Sequence, residues 1–341
     1  MVDVPEGPIE QLKRIAYLLE RSRAQTHRVR AFRKAAWALE KLSGAEIAQR
    51  SADGTLTDLA GVGPVSAKVV AEALAGQQAG YLAKLEAETG GPLVEGGATM
   101  RSALRGDLHT HSDWSDGGSP IREMAEAARA LGHEYIALTD HSPRLTVARG
   151  LTAKRLRQQL EVVRGLNEEL APFRILTGIE VDILEDGSLD QDPELLAELD
   201  IVVASVHSKL RMPAAEMTPR MVAAIANPLV DVLGHCTGRL ITGERGTRPE
   251  STFDAEIVFE ACRRFGVAVE INSRPERLDP PLRLLRQAIE QGCDFVIDTD
   301  AHAPGQLDWQ WYGCARAEEC GLSPDRVLNT LPVEELLSRT R

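Results

Sequence analysis

Two textures of hydrophobic patterning divide the chain. Over residues 9–20, Leu12, Ile15, Ala16 and Leu19 recur three and four positions apart, and Val29, Phe32, Ala36 and Leu39 repeat that spacing over residues 28–42. Both segments read as amphipathic helices, each with one apolar stripe to bury. A third helical pattern, Val65, Val69, Ala73 and Leu74, follows Leu59-Ala60-Gly61-Val62-Gly63-Pro64. Pro64 suits the first turn of that helix, where a backbone N–H has no partner in any case. Gly90, Gly91, Pro92, Gly96 and Gly97 then interrupt all periodicity. Residues 1–90 are expected to form a small helical domain, 91–102 a linker and 103–341 a second, larger domain.

In the larger part, short β-rich runs alternate with helical stretches such as Ile121–Leu131 and Phe253–Phe265. The runs are Leu104–His109, Tyr135–Thr139, Ile175–Val181, Ile201–Val206, Val230–Gly234, Val267–Ile271 and Asp294–Thr299. Seven β-α units predict an α/β fold, a (β/α) barrel one unit short of the usual eight. A doubly wound open sheet is the competitor, but no Gly-rich nucleotide fingerprint follows any of the runs.

Composition narrows the class. With 43% hydrophobic and 26% charged residues over 341 positions, disordered, collagen-like and coiled-coil readings are excluded. No apolar run approaches the roughly 18–20 residues of a membrane span. The first residues lack both the basic and the apolar regions of a secretory signal. Five cysteines, odd in number and without a CxxC pair, argue against a disulfide framework or a thiolate zinc site. A cytoplasmic protein without membrane contact is expected. The net charge of −12 is unevenly spread: residues 1–101 carry 13 basic and 12 acidic side chains, the remainder 26 and 39. Residues 13–41 alone hold nine basic groups with only Glu20 and Glu40 as acids. A basic module in front of an acidic one implies two tasks.

What ends each β run carries the chemistry. The first closes in His109-Thr110-His111, with Asp116 soon after, and the second in Asp140-His141. The others close at or next to Glu180, His207, His235, Glu270 and Asp298-Thr299-Asp300-Ala301-His302. Six of the eight histidines stand at these ends, which in a parallel barrel converge on the face where active sites are built. A lone histidine there is most often a hydrogen-bonded structural residue, and a lone aspartate a helix cap; coincidence over seven strands outweighs both readings. A His-X-His pair on a strand directs both rings to one side, since side chains alternate with period two. Imidazole and carboxylate without thiolate suit zinc, manganese or iron. Nine candidate ligands exceed the needs of one ion, so two or three divalent ions bridged by carboxylates are expected. His133 reads as a surface cap residue, His27 as solvated or near a phosphate, and Cys236 as core.

These residues, in order, resemble the polymerase-and-histidinol-phosphatase (PHP) superfamily: His109-Thr-His111, Ser-Asp116-Gly, Thr-Asp-His141-Ser, Glu180, Ser-Val-His207-Ser, Gly-His235 and Asp300-Ala-His302. The resemblance implies a distorted seven-stranded (β/α) barrel and up to three metals. By resemblance His109, His111, Glu180 and Asp300 hold one ion, Asp116, His141 and His302 a second, and Glu180, His207 and His235 a third. The likeness is strongest to the PHP domain of bacterial family X DNA polymerases, through Glu216-Met-Thr, Gly234-His-Cys-Thr-Gly-Arg239, Glu270-Ile-Asn and Arg277-Leu-Asp279. Arg28-Val-Arg-Ala-Phe-Arg-Lys-Ala-Ala36 and Gly61-Val-Gly63 are similar to the small all-α helix-hairpin-helix domain of the same polymerases. Nothing between the two parts leaves room for fingers, palm or thumb, so polymerase activity is not expected. The position at which related domains can carry a lyase lysine falls on Val69, one residue from Lys68, so Schiff-base chemistry is not expected.

Such ions lower the pKa of bound water and clamp phosphoryl oxygens, which predicts a phosphoester hydrolase working by metal-activated hydroxide. Arg144, Lys209, Arg239 and Arg277 follow metal-bearing strand ends as candidates to grip phosphate, and Arg277 together with Asp140, as a possible acid, forms the expected catalytic set. Gly61 and Gly63 let backbone approach a DNA phosphate without sequence preference, with Arg28, Arg30, Arg33, Lys34 and Lys68 adding electrostatic attraction. The leading expectation is a DNA-directed phosphoesterase of repair, a 3′-5′ exonuclease or 3′-end phosphatase. A histidinol-phosphatase-like small-molecule enzyme and a non-catalytic DNA-binding protein are the alternatives.

Overall fold

The computed structural model describes residues 7–243 and 246–340, which divide into two compact units between Pro92 and Leu93. The first contains α1 (Pro8–Arg21), α2 (Thr26–Leu39), α3 (Gly44–Ala52), α4 (Pro64–Leu74) and α5 (Gly80–Thr89). The apolar stripes of α1 and α2 are buried against Val69 and Val70 of α4 and Leu82 and Leu85 of α5 in one core. Each fully buried large side chain there is worth about 1.5–3 kcal/mol.

Charge contributes to this packing as well. Arg33 of α2 donates through Nε and Nη2 to the two carboxylate oxygens of Glu20 on α1, at 2.6 and 2.7 Å, and both groups are buried. Arg33 was expected to face DNA; its guanidinium instead locks two helices together. Gly61 sits at φ +97°, and a Cβ there would lie 3.1 Å from Lys34 Cβ and 3.2 Å from its carbonyl oxygen. Only glycine allows the hairpin to rest this closely on α2. The Gly63 N–H donates to Ser66 Oγ at 2.9 Å, closing the first turn of α4.

The second unit holds α6 (Ala98–Ala103), which takes up the latter half of the stretch read as linker; its Met100 is buried in the core of this unit. Seven parallel strands follow in the order of the sequence: β1 (Gly106–Thr110), β2 (Tyr135–Leu138), β3 (Arg174–Asp182), β4 (Ile201–Ser205), β5 (Val232–Leu233), β6 (Ala268–Asn272) and β7 (Phe295–Asp298). The crossovers carry α7 (Ile121–Ala130), α8 (Ala153–Leu170), α9 (Pro193–Leu196), α10 (Ala214–Ile225), α11 (Ala255–Phe265) and α12 (Leu282–Gln291); α13 (Gln310–Glu319) and α14 (Val333–Arg339) follow β7. Leu108, Tyr135, Ala137, Leu176, Ile201, Val203, Val232, Ala268 and Val296 form one buried cluster inside the barrel. The alternate residues of the same strands, such as Ile136, Ile179 and Val202, pack against helices, as period-two alternation requires.

The barrel is nearly closed. A parallel bridge joins Thr110, the last residue of β1, to Ala301, past the end of β7. Lower in the seam, side-chain amides replace a ladder: Asn329 and Gln310 each donate to Gly106 O and Ile297 O, at 2.8–3.0 Å. Buried backbone carbonyls are thereby satisfied without strand pairing. Among the described residues no helix is long and apolar enough to cross a membrane.

Candidate metal centre

The nine candidate ligands gather at the C-terminal ends of the strands, and a backbone irregularity brings the first two there. Strict alternation from Leu108, which faces the barrel interior, would turn His109 and His111 away. The pairing of β1 with β2 runs Asp107↔Ile136 and then Thr110↔Leu138, so β1 carries one extra residue. That bulge resets the alternation. A second device places His235: Gly234 lies so close to β4 that a Cβ would stand 2.2 Å from Ser205 Oγ.

Glu180, buried at the end of β3, is the hub. Its Oε1 lies 2.9 Å from His235 Nε2 and 3.2 Å from His207 Nε2. Its Oε2 lies 2.8 Å from His141 Nδ1, 3.4 Å from His109 Nε2 and 3.7 Å from His111 Nε2. Asp300 Oδ1 stands 3.3 Å from His111 Nε2. Asp116 Oδ1 stands 3.2 Å from His302 Nε2 and 3.5 Å from His141 Nε2.

These atoms fit cations better than they fit one another. Both Glu180 oxygens, His109 Nε2, both nitrogens of His111, His141 Nδ1 and His207 Nε2 are buried and make no hydrogen bond. Each unmet buried polar group costs about 1–3 kcal/mol, so such a concentration of them marks a place for ions. Among the described residues three groups have donor atoms all within 4.8 Å of one another: His109, His111 and Asp300; His111, Asp116, His141 and His302; His141, Glu180 and His207. The partition differs from the one implied by resemblance: His111 and His141 each stand in two groups, and His235 in none.

Residues beyond the nine orient them. His109 Nδ1 bonds Glu270 Oε1 at 2.5 Å, and His207 Nδ1 bonds Asp182 Oδ1. Each carboxylate fixes the tautomer that leaves Nε2 free as a ligand. Glu270 also accepts from the His235 backbone N–H, and Asn272 Nδ2 spans Glu270 and Asp300 at 3.2 and 3.3 Å. Arg274 reaches His302 Nδ1 and the Asp300 carbonyl, both at 3.1 Å. Asp182 and Arg274 went unrecognised in the sequence, although Asp182 lies two residues beyond Glu180 on the same strand and thus shares its face.

Electrostatics follow from this crowding. Burial raises the pKa of Glu180, but His207, His109 and His141 outweigh it and hold the carboxyl well below its usual range. Burial lowers His207, yet Glu180 and Asp182 reverse the effect and lift it to about 9. His111, desolvated and beside His302 and His141, falls to about 3. Ion binding must therefore displace the His207 proton, and apparent metal affinity should rise about tenfold per pH unit as the pH climbs toward about 9 and level off above it. Titration of chelated protein with Mn²⁺ at several pH values checks this; a flat affinity would contradict the assignment of His207.

The two catalytic candidates part company. Arg277 Nε donates to Asp300 Oδ2 at 3.2 Å, and its buried Nη1 has no hydrogen-bond partner. Asp140 has no such freedom. It accepts from Ser112 N–H and Oγ at 2.9 and 2.6 Å, from Ser115 Oγ and from Gln159 Nε2 at 2.6 Å. This carboxylate pins the loop that carries Asp116 and is not placed as an acid. Arg239 is likewise engaged, donating to the carbonyls of Arg277 and Leu278. His133 is buried, not a surface cap, and Asp298 accepts from Leu108 N–H and Asn329 Nδ2. In the helical unit Arg28, Arg30, Lys34 and Lys68 are exposed, as are Gly61 and Gly63. Val69 is buried in the core.

A PHP domain model matches residues 107–274, and a helix-hairpin-helix domain model matches residues 6–79. The chain is 45% identical over 233 residues to the DNA polymerase/3′-5′ exonuclease PolX of Bacillus subtilis (strain 168), a match covering 68% of this chain and 40% of that protein. It is 30% identical over 235 residues to a probable phosphatase of Thermoanaerobacter sp. (strain X514), covering 66% of this chain and 89% of the relative. A histidinol phosphate phosphatase of Lactococcus lactis, solved with zinc, L-histidinol and phosphate, aligns with a TM-score of 0.48 at 20% identity, over 64% of this chain and 95% of that one. The chain belongs to the PHP family and carries a helix-hairpin-helix domain ahead of the barrel.

Proposed function

We propose that this protein hydrolyses phosphoesters at DNA ends, as a 3′-5′ exonuclease or 3′-end phosphatase, with two or three divalent ions (zinc, manganese or iron) held by the nine strand-end residues. The observation that carries the metal reading is Glu180, one buried carboxylate facing five imidazoles. Support for DNA comes from the helix-hairpin-helix domain and from the relative named as a polymerase and exonuclease.

Divalent ions in this centre would supply Lewis acidity and make water nucleophilic at neutral pH. The chain's own part is positioning. Glu270 and Asp182 hold the His109 and His207 rings by Nδ1. Arg277, anchored to Asp300 through Nε, offers Nη1 to a non-bridging phosphate oxygen. Arg277→Lys removes that forked geometry and should raise KM for substrate about tenfold or more at unchanged metal content. An unchanged KM would remove Arg277 from the substrate site.

The probable-phosphatase relative, matched over most of its length, favours a second reading in which the substrate is a small phosphomonoester. Metal-loaded protein assayed on 5′-labelled single-stranded and primed DNA, with histidinol phosphate in parallel, decides between them. A ladder or 3′-phosphate release supports the DNA reading; turnover of histidinol phosphate alone overturns it.

A further inference from the structure

Arg239 follows a ligand-bearing strand, yet its guanidinium is turned onto backbone. Nε donates to the Arg277 carbonyl at 2.9 Å and Nη2 to the Leu278 carbonyl at 2.5 Å. The next two carbonyls are claimed as well, Asp279 O by the Asn272 N–H at 2.8 Å and Pro280 O by Arg316 Nη2. The Asp279 carboxylate accepts from the Thr237 N–H and Oγ1 at 3.1 and 2.6 Å. Inside this tightly held turn Leu278 sits at φ +45°, a left-handed conformation that residues with a Cβ rarely adopt. Such strain persists only where the surroundings impose it, and it gathers at sites that bind ligands. What the turn delivers is Arg277, whose Nε rests on Asp300 Oδ2 and whose buried Nη1 has no hydrogen-bond partner.

We propose that Arg239 is a positioning residue for substrate binding: by bridging two successive carbonyls it holds the turn that aims Arg277 at the phosphate. It does not meet the substrate itself. The planar fork suits this task, since its donors reach two acceptors at a fixed spacing, whereas an ammonium is a point charge. With the fork gone, Leu278 is free to return to an ordinary φ, and the Arg277 backbone moves with it. The inference rests on the reading of Arg277 as a phosphate ligand and adds what keeps that ligand in place. The charge of Arg239, which in the sequence suggests direct contact with phosphate, is taken up by backbone instead.

The test uses the full, Mn²⁺-loaded chain with inorganic phosphate as the probe, binding being followed by isothermal titration calorimetry and metal content by elemental analysis. Arg277→Lys should weaken phosphate binding about tenfold, the scale of one hydrogen bond to a charged group. Arg239→Lys keeps the charge but not the fork, and should weaken binding by about the same factor at unchanged metal content; Arg239→Gln should do the same. The double variant Arg239→Lys/Arg277→Lys should be no weaker than either single one, because residues that act through one contact are not additive. Losses that multiply, or loss of bound metal in both Arg239 variants, would overturn the proposal while leaving Arg277 at the substrate. Wild-type affinity in Arg239→Lys would overturn it too, since charge would then suffice without the fork. Wild-type affinity in Arg277→Lys, or no phosphate binding by the wild type, would overturn the reading of Arg277 itself, and this inference with it.

Discussion

Glu180→Gln should cost at least about 100-fold in turnover, because changes to groups that merely orient metal ligands already cost about 10–100-fold. The amide keeps the shape of the carboxylate but loses its charge, and five imidazoles then face one another with no anion between them. Metal content should fall in parallel, measured by elemental analysis after gel filtration. The folded state should survive, since the surrounding strands are held by an apolar core that Glu180 does not join. A Glu180→Gln protein with full metal content and turnover would remove the hub from the mechanism.

Removing Arg33 should act on stability alone, and strongly. Its pair with Glu20 leaves the two side chains 7% and 3% exposed, and deleting one partner of a buried pair typically costs about 3–5 kcal/mol, because the other charge is stranded. For a unit of this size that lowers the melting temperature of the helical part by roughly 15 °C or more. Lys34→Ala, on the exposed side of the same helix, should leave melting unchanged and weaken only DNA binding. Circular dichroism melts of the two variants separate the roles, and an Arg33→Ala protein that melts like wild type would show that the pair is not structural.

The contrast between Arg33 and Lys34 shows where sequence reading ends. The run Arg28–Lys41 declares positive charge, but whether a guanidinium faces solvent or a buried carboxylate depends on the crossing of α1 and α2, which no local pattern encodes. Barrel class and the gathering of histidines and acids at the strand ends were legible because each rests on a repeated local signal, a short apolar run ending in histidine or acid. The bulge in β1 was not: alternation assumes a regular strand, and the insertion is visible only against β2. Asp140 misled for a related reason. An acid beside a ligand looks catalytic until its four donors are seen, and Ser112, Ser115 and Gln159 converge on it from distant positions. Asp182 and Arg274 were missed because orienting residues carry no motif of their own.

The central claim is that the strand-end cluster is a multi-ion centre for phosphoester hydrolysis at DNA ends. The most direct test adds Mn²⁺ stepwise to chelated protein and follows release of the 3′-terminal nucleotide or phosphate from 5′-labelled DNA. The account predicts little activity through the first equivalent, a rise as further ions bind, and none at any metal level in His109→Ala, whose DNA affinity stays near that of wild type. Full activity in the chelated protein, or undiminished activity in His109→Ala, would contradict it.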